Sequence, residues 1–262
     1  DLYMTCIVPG RPFRVDGNAR LAPTDESSGW SRPIDADVKH LGRAKRRALA
    51  KVWSEAGRAE HAAIASFSRF ALQLMALGAP AELVAEATRA MADEIEHTRL
   101  CMGIASTAAG HTVGLGALDI SDALTDNVQA VHVLIDTIRE GCINETICAA
   151  QADAAREATQ DPRIRAALTR IAKDEQRHAT LAWKTVQWIL KTHPQLRSQA
   201  LSMLQRPLGK WTSESPTGLS AFGVLSADEE RQIAEAAWNQ IIQPCARALL
   251  DAPIETEQEM WA

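Results

Sequence analysis

The chain has 262 residues and a formal net charge of −5, so it can bury one good-sized core without requiring a second domain. Hydrophobic residues make up 46% of the sequence but include only four Phe and one Tyr. The prevalence of Ala and Leu favours helices over sheets. Acidic and basic residues are interspersed, which argues against a nucleic-acid partner or an anionic membrane surface. We therefore expect an all-α protein that binds neither.

The cysteines and the apolar runs indicate the cellular compartment in which the protein is expected. An odd number of cysteines without close pairs predicts neither a disulfide framework nor a zinc ribbon. These cysteines are Cys6, Cys101, Cys142, Cys148 and Cys245. Charged or polar residues interrupt every apolar run before the roughly 20 residues that a membrane span needs. We expect a cytoplasmic protein; because residue 1 is Asp, a removed signal peptide is the open alternative.

The first 34 residues are expected to form an irregular arm. Repeated Pro and Gly residues exclude a long helix there. Within the arm, the stretch from Phe13 to Leu21 carries Asp16-Gly17 at its centre, and this dipeptide suits the positive φ angles of a tight turn. A short hairpin is therefore predicted.

The rest of the chain has the pattern of a helical bundle. Apolar residues recur at intervals of three and four, which predicts long helices over 35–77, 80–106, 125–159 and 162–192. Residues 107–124 lack this period and form a long connection, which would leave the second and third helices parallel. A short helix over 195–204 and a last helix after the capping box Ser226–Glu229, disturbed by Pro244, follow. We divide the chain into an arm (1–34), a bundle (35–205) and a C-terminal loop and helix (206–262).

Each of the four predicted bundle helices carries a glutamate on its inward, apolar stripe, and two of the helices add a histidine. These residues are Glu60 on the first helix, Glu94 and His97 on the second, Glu145 on the third, and Glu175 and His178 on the fourth. In a Glu-x-x-His sequence the two side chains share one helix face. Four buried carboxylates must be protonated, paired or metal-bound, and two divalent cations would balance their charge. Oxygen ligands with one imidazole per metal favour iron or manganese over a closed zinc site.

Several residues near these stripes have alternative interpretations. Glu140 is the rival ligand of the third helix, but its helical row is more polar than that of Glu145, so Glu145 is preferred. Asp93 and Asp174 precede the two Glu-x-x-His sequences and are expected to accept the second N–H of the histidines. His61 is expected to lie on the surface or beside a ligand rather than to bind metal. Cys101 and Cys142 are expected to be small core residues.

The doubled Asp-Glu-x-x-His, each copy after a Glu-bearing helix, resembles the ferritin-like di-iron carboxylate superfamily over about residues 50–192. The resemblance implies a ferritin-like four-helix bundle and two Fe ions cycling between Fe2+ and Fe3+, with Mn as the alternative metal. One metal would be held by Glu60, Glu94 and His97, and the other by Glu145, Glu175 and His178. The bridging and catalytic carboxylates would be Glu94 and Glu175.

The resemblance also implies an oxidoreductase that activates dioxygen. The sole tyrosine, Tyr3, lies outside the predicted bundle, which argues against a tyrosyl radical like that of ribonucleotide reductase. No rubredoxin-like Cys-x-x-Cys module of a rubrerythrin is present, and the arm and last helix differ from a compact storage ferritin. We expect a monooxygenase-type enzyme that oxidises a small organic substrate, with an electron-donating reductase as partner. A ferroxidase, a peroxide scavenger and a non-catalytic metal-binding protein are the alternatives; the oligomeric state is left open.

Overall fold

The computed structural model describes residues 10–124, 127–209 and 215–251, and within these ranges the protein is mostly helical. The helices are α1 (Arg43–Ala76), α2 (Ala81–Ala109), α3 (Ala130–Asp136), α4 (Thr146–Ala158), α5 (Pro162–Thr192), α6 (Arg197–Leu204), α7 (Ala227–Ala237) and α8 (Gln243–Asp251). A π-helical stretch, Thr137–Glu145, joins α3 to α4, and a shorter one, Trp238–Ile242, joins α7 to α8. The expected all-α class is confirmed. Tyr3 and Cys6 lie outside the described residues.

Four two-residue strands complete the fold: β1 (Arg14–Val15), β2 (Asn18–Ala19), β3 (Thr24–Asp25) and β4 (Gly114–Leu115). The predicted hairpin is confirmed, because β1 pairs antiparallel with β2 around Asp16 and Gly17, whose φ angles are 50° and 78°. β3 pairs antiparallel with β4. The arm is therefore tied to the connection that follows α2.

Two helical hairpins build the body of the molecule. α1 packs along α2, and α5 packs along α4 and the π-helical stretch before it; α2 against α5 joins the two hairpins. Buried apolar side chains form one cluster around Phe67, Leu134 and Ile189 and a second around Trp53, Ile104 and Ile164. The acidic and histidine residues of the four stripes lie along the helices between these two clusters. They are a polar layer within an otherwise apolar core.

The helix boundaries differ most from the predicted ones at two places. The first helix begins at Arg43 rather than at residue 35, because Gly42 has an extended conformation (φ −61°, ψ 156°). The third begins at Ala130, residues 125–126 lying outside the described part, and its middle is π-helical rather than α-helical. α5 has the predicted bounds, because Asp161 accepts hydrogen bonds from the N–H groups at its start.

The C-terminal helices pack on α3, α4 and the π-helical stretch between them. The predicted capping box is confirmed, since the Ser226 side chain and the Glu229 side chain bond each other's backbone N–H. The predicted disturbance is confirmed too: the shorter π-helical stretch ends two residues before Pro244, which has no N–H to donate. Among the described residues, no helix is both long and apolar enough to cross a bilayer.

Candidate metal centre

Four helical segments bring the six candidate ligands together at the middle of the bundle. Glu60 comes from α1, Glu94 and His97 from α2, Glu145 from the end of the π-helical stretch, and Glu175 and His178 from α5. All six side chains are at most 3% exposed. The i,i+3 spacing on α2 and α5 turns each glutamate and its histidine to one side, as the sequence predicts.

One group of ligand atoms surrounds Nδ1 of His97. This nitrogen lies 3.4 Å from an oxygen of Glu94, 3.4 Å from an oxygen of Glu175 and 3.8 Å from an oxygen of Glu60. Ligand atoms of the four residues all lie within 4.8 Å of one another. Because a metal binds oxygen and nitrogen at about 2.0–2.6 Å, one ion can bridge a group of this size.

The second group surrounds Nδ1 of His178. This nitrogen lies 3.2 Å from Glu94, 3.9 Å from Glu145 and 3.9 Å from Glu175. Ligand atoms of Glu145, Glu175 and His178 lie within 4.8 Å of one another. Glu175 therefore belongs to both groups, and Glu94 contacts both histidines. These two carboxylates have the position that a bridging role requires.

The aspartates bind the outer nitrogens of the histidines in a crossed arrangement. Asp174 on α5 is 3.2 Å from Nε2 of His97, and Asp93 on α2 is 3.3 Å from Nε2 of His178. Arg177 joins the two aspartates, donating hydrogen bonds of 2.6 Å to Asp174 and 2.7 Å to Asp93. When Nε2 carries the proton, Nδ1 presents its lone pair to the centre.

Within the described chain, every ligand atom that faces the centre lacks a hydrogen-bond partner. This holds for both carboxylate oxygens of Glu60, Glu94, Glu145 and Glu175 and for Nδ1 of His97 and His178. Buried polar atoms are normally hydrogen-bonded, and leaving one unpaired costs about 1–3 kcal/mol. Such a concentration of unpaired acceptors fits cations better than it fits a self-contained polar core. The donor set, rich in oxygen with one imidazole per group, suits two divalent metal ions.

The electrostatics of the metal-free cluster lead to the same chemistry. Burial, followed by the charge of a neighbouring glutamate, holds the pKa values of Glu60 and Glu145 well above their ordinary range. Burial lowers the pKa of His178, but Asp93 and Glu94 outweigh it and raise the pKa to about 9. Burial lowers the pKa of His97 too, but Asp174 and the neighbouring glutamates outweigh burial and raise the pKa well above its ordinary value. In the metal-free protein, these shifts favour protons on the same glutamates and histidines that would bind the metals.

Glu140, the rival ligand, does not join the cluster. It is buried, and its Oε2 atom lies 3.6 Å from Nε of Arg11 in the arm. Burial raises its pKa to about 7, against the attraction of Arg11. The row assigned to Glu140 as a polar face is buried as well, including Thr137 and Gln151. The row is polar in composition, as predicted, but it does not face solvent; the structure places Glu145 rather than Glu140 beside the other ligands.

A pocket of about 760 Å³ lies between the arm, α1 and the connection after α2. Its lining is largely apolar and includes Phe13, Trp30 and Leu72, together with His61, the residue after Glu60. His61 is only 9% exposed and its ring stands edge-on to Trp30 at 4.6 Å. The surface position considered for His61 was therefore wrong. Cys101 and Cys142 are buried free thiols, as expected.

Three neighbours of the cluster are absent from the sequence-based interpretation. Arg177 lies inside the second Glu-x-x-His, but nothing in the spacing shows that it reaches Asp93 on another helix. Gly10 and Arg11 come from the arm, where no periodicity exists to predict a contact with the bundle. Comparison with known proteins adds no further constraint: no family model, curated protein or solved structure matches the chain.

Proposed function

We propose that the chain is a di-iron oxidoreductase with a ferritin-like four-helix bundle, which activates dioxygen to oxidise a small organic substrate. The observation that carries this proposal is the set of buried, unpartnered carboxylates and Nδ1 atoms described above. Oxygen donors with one imidazole per group suit a redox-active ion with open positions better than structural zinc. These residues would hold an iron pair whose chemistry, when bound, is the transfer of electrons to dioxygen, with a reductase as the source of those electrons.

The residues of the chain have distinct roles in this proposal. Glu94 and Glu175 lie between the two histidines and would hold both ions. Asp93 and Asp174 keep each imidazole oriented with Nδ1 inward. Phe67, whose ring lies 5.0 Å from that of His178, excludes water from one side of the cluster.

The large pocket supports an organic substrate. Its volume of about 760 Å³ and its mainly apolar lining are those of a small-molecule site. His61 lies in its wall and follows Glu60 directly, so the pocket and the cluster are on neighbouring sides of α1. A substrate with an apolar body of one or two rings is the class that this lining favours.

The enclosure of the cluster favours a second candidate, a ferroxidase or peroxide scavenger. With all six ligands at most 3% exposed, small inorganic reactants would reach the metals more easily than an organic molecule. The two candidates differ in stoichiometry. A ferroxidase turns over many Fe2+ ions per chain, whereas a hydroxylase retains about two irons and consumes dioxygen with its substrate.

The first test is the metal content of the protein as isolated, followed by Mössbauer spectra of the iron-loaded, reduced protein before and after exposure to oxygen. We expect about two irons per chain, in keeping with the two-metal sites of proteins, and a magnetically coupled ferric pair after oxygen. A protein isolated without metal that also fails to bind iron, or one with tightly bound zinc that ignores oxygen, would contradict the proposal.

A further inference from the structure

The described part of the arm begins at Gly10, which lies beside carboxylates of the cluster. Gly10 is buried, and a Cβ atom built on it would collide with the carboxylate of Glu145 and stand 2.9 Å from Oε2 of Glu175. Its backbone is thus in direct contact with two candidate ligands, and any larger residue here would have to displace their carboxylates. A molecule that approaches these two carboxylates from the arm side must take the place of Gly10.

The next residue, Arg11, fastens the arm in this position. Its guanidinium carbon lies 3.8 Å from the ring centre of Phe70 and 5.2 Å from that of Phe67, both on α1. Its Nε atom lies 3.6 Å from Glu140 in the π-helical stretch. The side chains of Arg11 and Glu140 are only 4% and 5% exposed. One arm residue therefore connects the two helical segments that flank this side of the cluster.

Arg11 forms an ion pair with Glu140, and its charge also acts on the candidate ligand Glu145. Two divalent metals would balance the four glutamates of the cluster, and Arg177 pairs with both aspartates. Arg11 then balances Glu140. Removal of Arg11 takes away the attraction that favours the ionised form of Glu140, so that Glu140 takes up a proton, and it frees the arm from the rings of α1.

We propose that Arg11 and Glu140 form a latch that holds Gly10 over the cluster and so determines which molecules reach it. Arg11 is a specificity-determining residue that acts through Gly10 rather than by touching a reactant. The closed arm admits small species such as dioxygen, peroxide or azide, and an organic molecule gains access to Glu145 and Glu175 when the arm moves away. This inference rests on the proposed function, because it concerns access to the metals.

The test uses the full chain loaded with Co(II), whose visible absorption reports its coordination, and two anionic probes of different size, azide and benzoate. We expect Arg11→Ala to raise the rate at which benzoate changes the spectrum on the order of tenfold, and the azide rate much less. Arg20→Ala is the matched control, since Arg20 is an arginine of the same arm whose guanidinium bonds Ser121 and Asp119 in the connection after α2. It should leave both rates unchanged.

A second variant distinguishes loss of the latch from misfolding of Arg11→Ala. Glu140→Gln removes the ion pair while keeping the side-chain volume, and it should act in the same direction as Arg11→Ala. If cobalt binds but neither variant changes the benzoate rate, or if Arg20→Ala changes it equally, the latch is wrong and the metal site stands.

If cobalt binds neither to the unchanged protein nor to the variants, the proposed function fails. The latch is then tested in the metal-free protein. Amide hydrogen exchange over residues 10–15 should be faster in Arg11→Ala on the order of tenfold. Exchange equal to that of the unchanged protein would overturn the latch.

Discussion

Each candidate histidine is controlled by an aspartate from the opposite helix. Asp174 on α5 accepts from His97 on α2, and Asp93 on α2 accepts from His178 on α5. Burial raises the pKa of Asp174, but His97 and Arg177 outweigh it and lower the pKa to about 2. This carboxylate therefore stays ionised at neutral pH. It can fix the imidazole with Nε2–H outward and Nδ1 free for a metal.

Replacing this aspartate should weaken metal binding without removing a ligand. In Asp174→Asn the amide can present its NH2 group to the ring, and the preferred tautomer of His97 is lost. Metal affinity should fall about 10–100-fold, the usual effect of such outer partners, as measured by competition titration with a chelator. Asp153→Asn is the control, because Asp153 pairs with Arg156 on α4. Equal affinities of the two variants would contradict the role of Asp174.

The two glutamates of the π-helical stretch should respond differently to neutralisation. Glu145→Gln removes a carboxylate from the second group, so one of the two metal positions should be lost. Glu140→Gln weakens only the pair with Arg11 and should retain both metals. Equilibrium dialysis with elemental analysis counts the bound ions. Loss of a metal in Glu140→Gln, with both retained in Glu145→Gln, would show that the ligand of this segment is misassigned.

At the scale of secondary structure, the π-helical stretch explains why both glutamates are buried. Residues five apart differ by about 140° around an α-helix of 3.6 residues per turn, which would put Glu140 and Glu145 on different faces. In a π-helix residues five apart are hydrogen-bonded neighbours, so both side chains turn inward. Glu145 then reaches the cluster while Glu140 reaches the arm.

The close packing of this stretch against α5 gives a prediction about stability. A Cβ built on Gly141 would collide with the methyl group of Ala182, so Gly141→Ala must push the two segments apart. Overpacking costs about 1–3 kcal/mol, and the better helix propensity of Ala offsets up to about 1 kcal/mol of this. Denaturant unfolding should show a net loss of stability.

Two further variants check that the collision is the cause. Gly29→Ala should be nearly neutral, because nothing lies within 4 Å of a Cβ at that position. Ala182→Gly combined with Gly141→Ala should recover part of the lost stability, since it removes the opposing methyl group. A double variant as unstable as the sum of its single changes would contradict this explanation.

The sequence predicts those parts of the fold and site that depend on local periodicity or local turn chemistry. The inward stripe of α5, with Glu175 and His178, follows from the 3.6-residue period, and the hairpin follows from Asp16-Gly17. Contacts between distant segments have no such signal. The position of Gly10 over the cluster depends on how the arm packs. The π-helical stretch departs from the 3.6-residue period on which the comparison of Glu140 with Glu145 was based.

At the scale of the whole molecule, the buried glutamates and histidines of the metal-free protein should bind protons in place of metals. Burial raises the pKa values of Glu60 and Glu145, and the neighbouring carboxylates raise those of His97 and His178. Metals require the opposite states, ionised carboxylates and neutral imidazoles. Metal binding at pH 7 should therefore release a number of protons per chain that includes the proton of His178, whose pKa is about 9. Titration calorimetry in buffers of different ionisation enthalpy measures this number, and release of none would contradict the proton-filled centre.

The same protons make the stability of the metal-free protein depend on pH. A histidine whose pKa rises from 6.5 unfolded to about 9 folded contributes stability that is fully present below pH 6.5. That contribution is lost as the pH rises through 9. For His178 alone it is about 3 kcal/mol, at 1.36 kcal/mol per pKa unit. The raised pKa values of Glu60 and Glu145 act in the same direction, because the folded state keeps protons that the unfolded chain has lost.

We therefore expect the thermal midpoint of the metal-free protein to fall between pH 6.5 and 9, whereas the metal-loaded protein, already deprotonated at the centre, should show little change over this range. Circular dichroism melts of both forms measure the difference. His178→Gln should reduce the fall in the metal-free protein, and His132→Gln, at an exposed histidine of α3, should not. A metal-free midpoint that is flat or rises with pH would mean that the buried glutamates and histidines do not hold the protons that their surroundings favour.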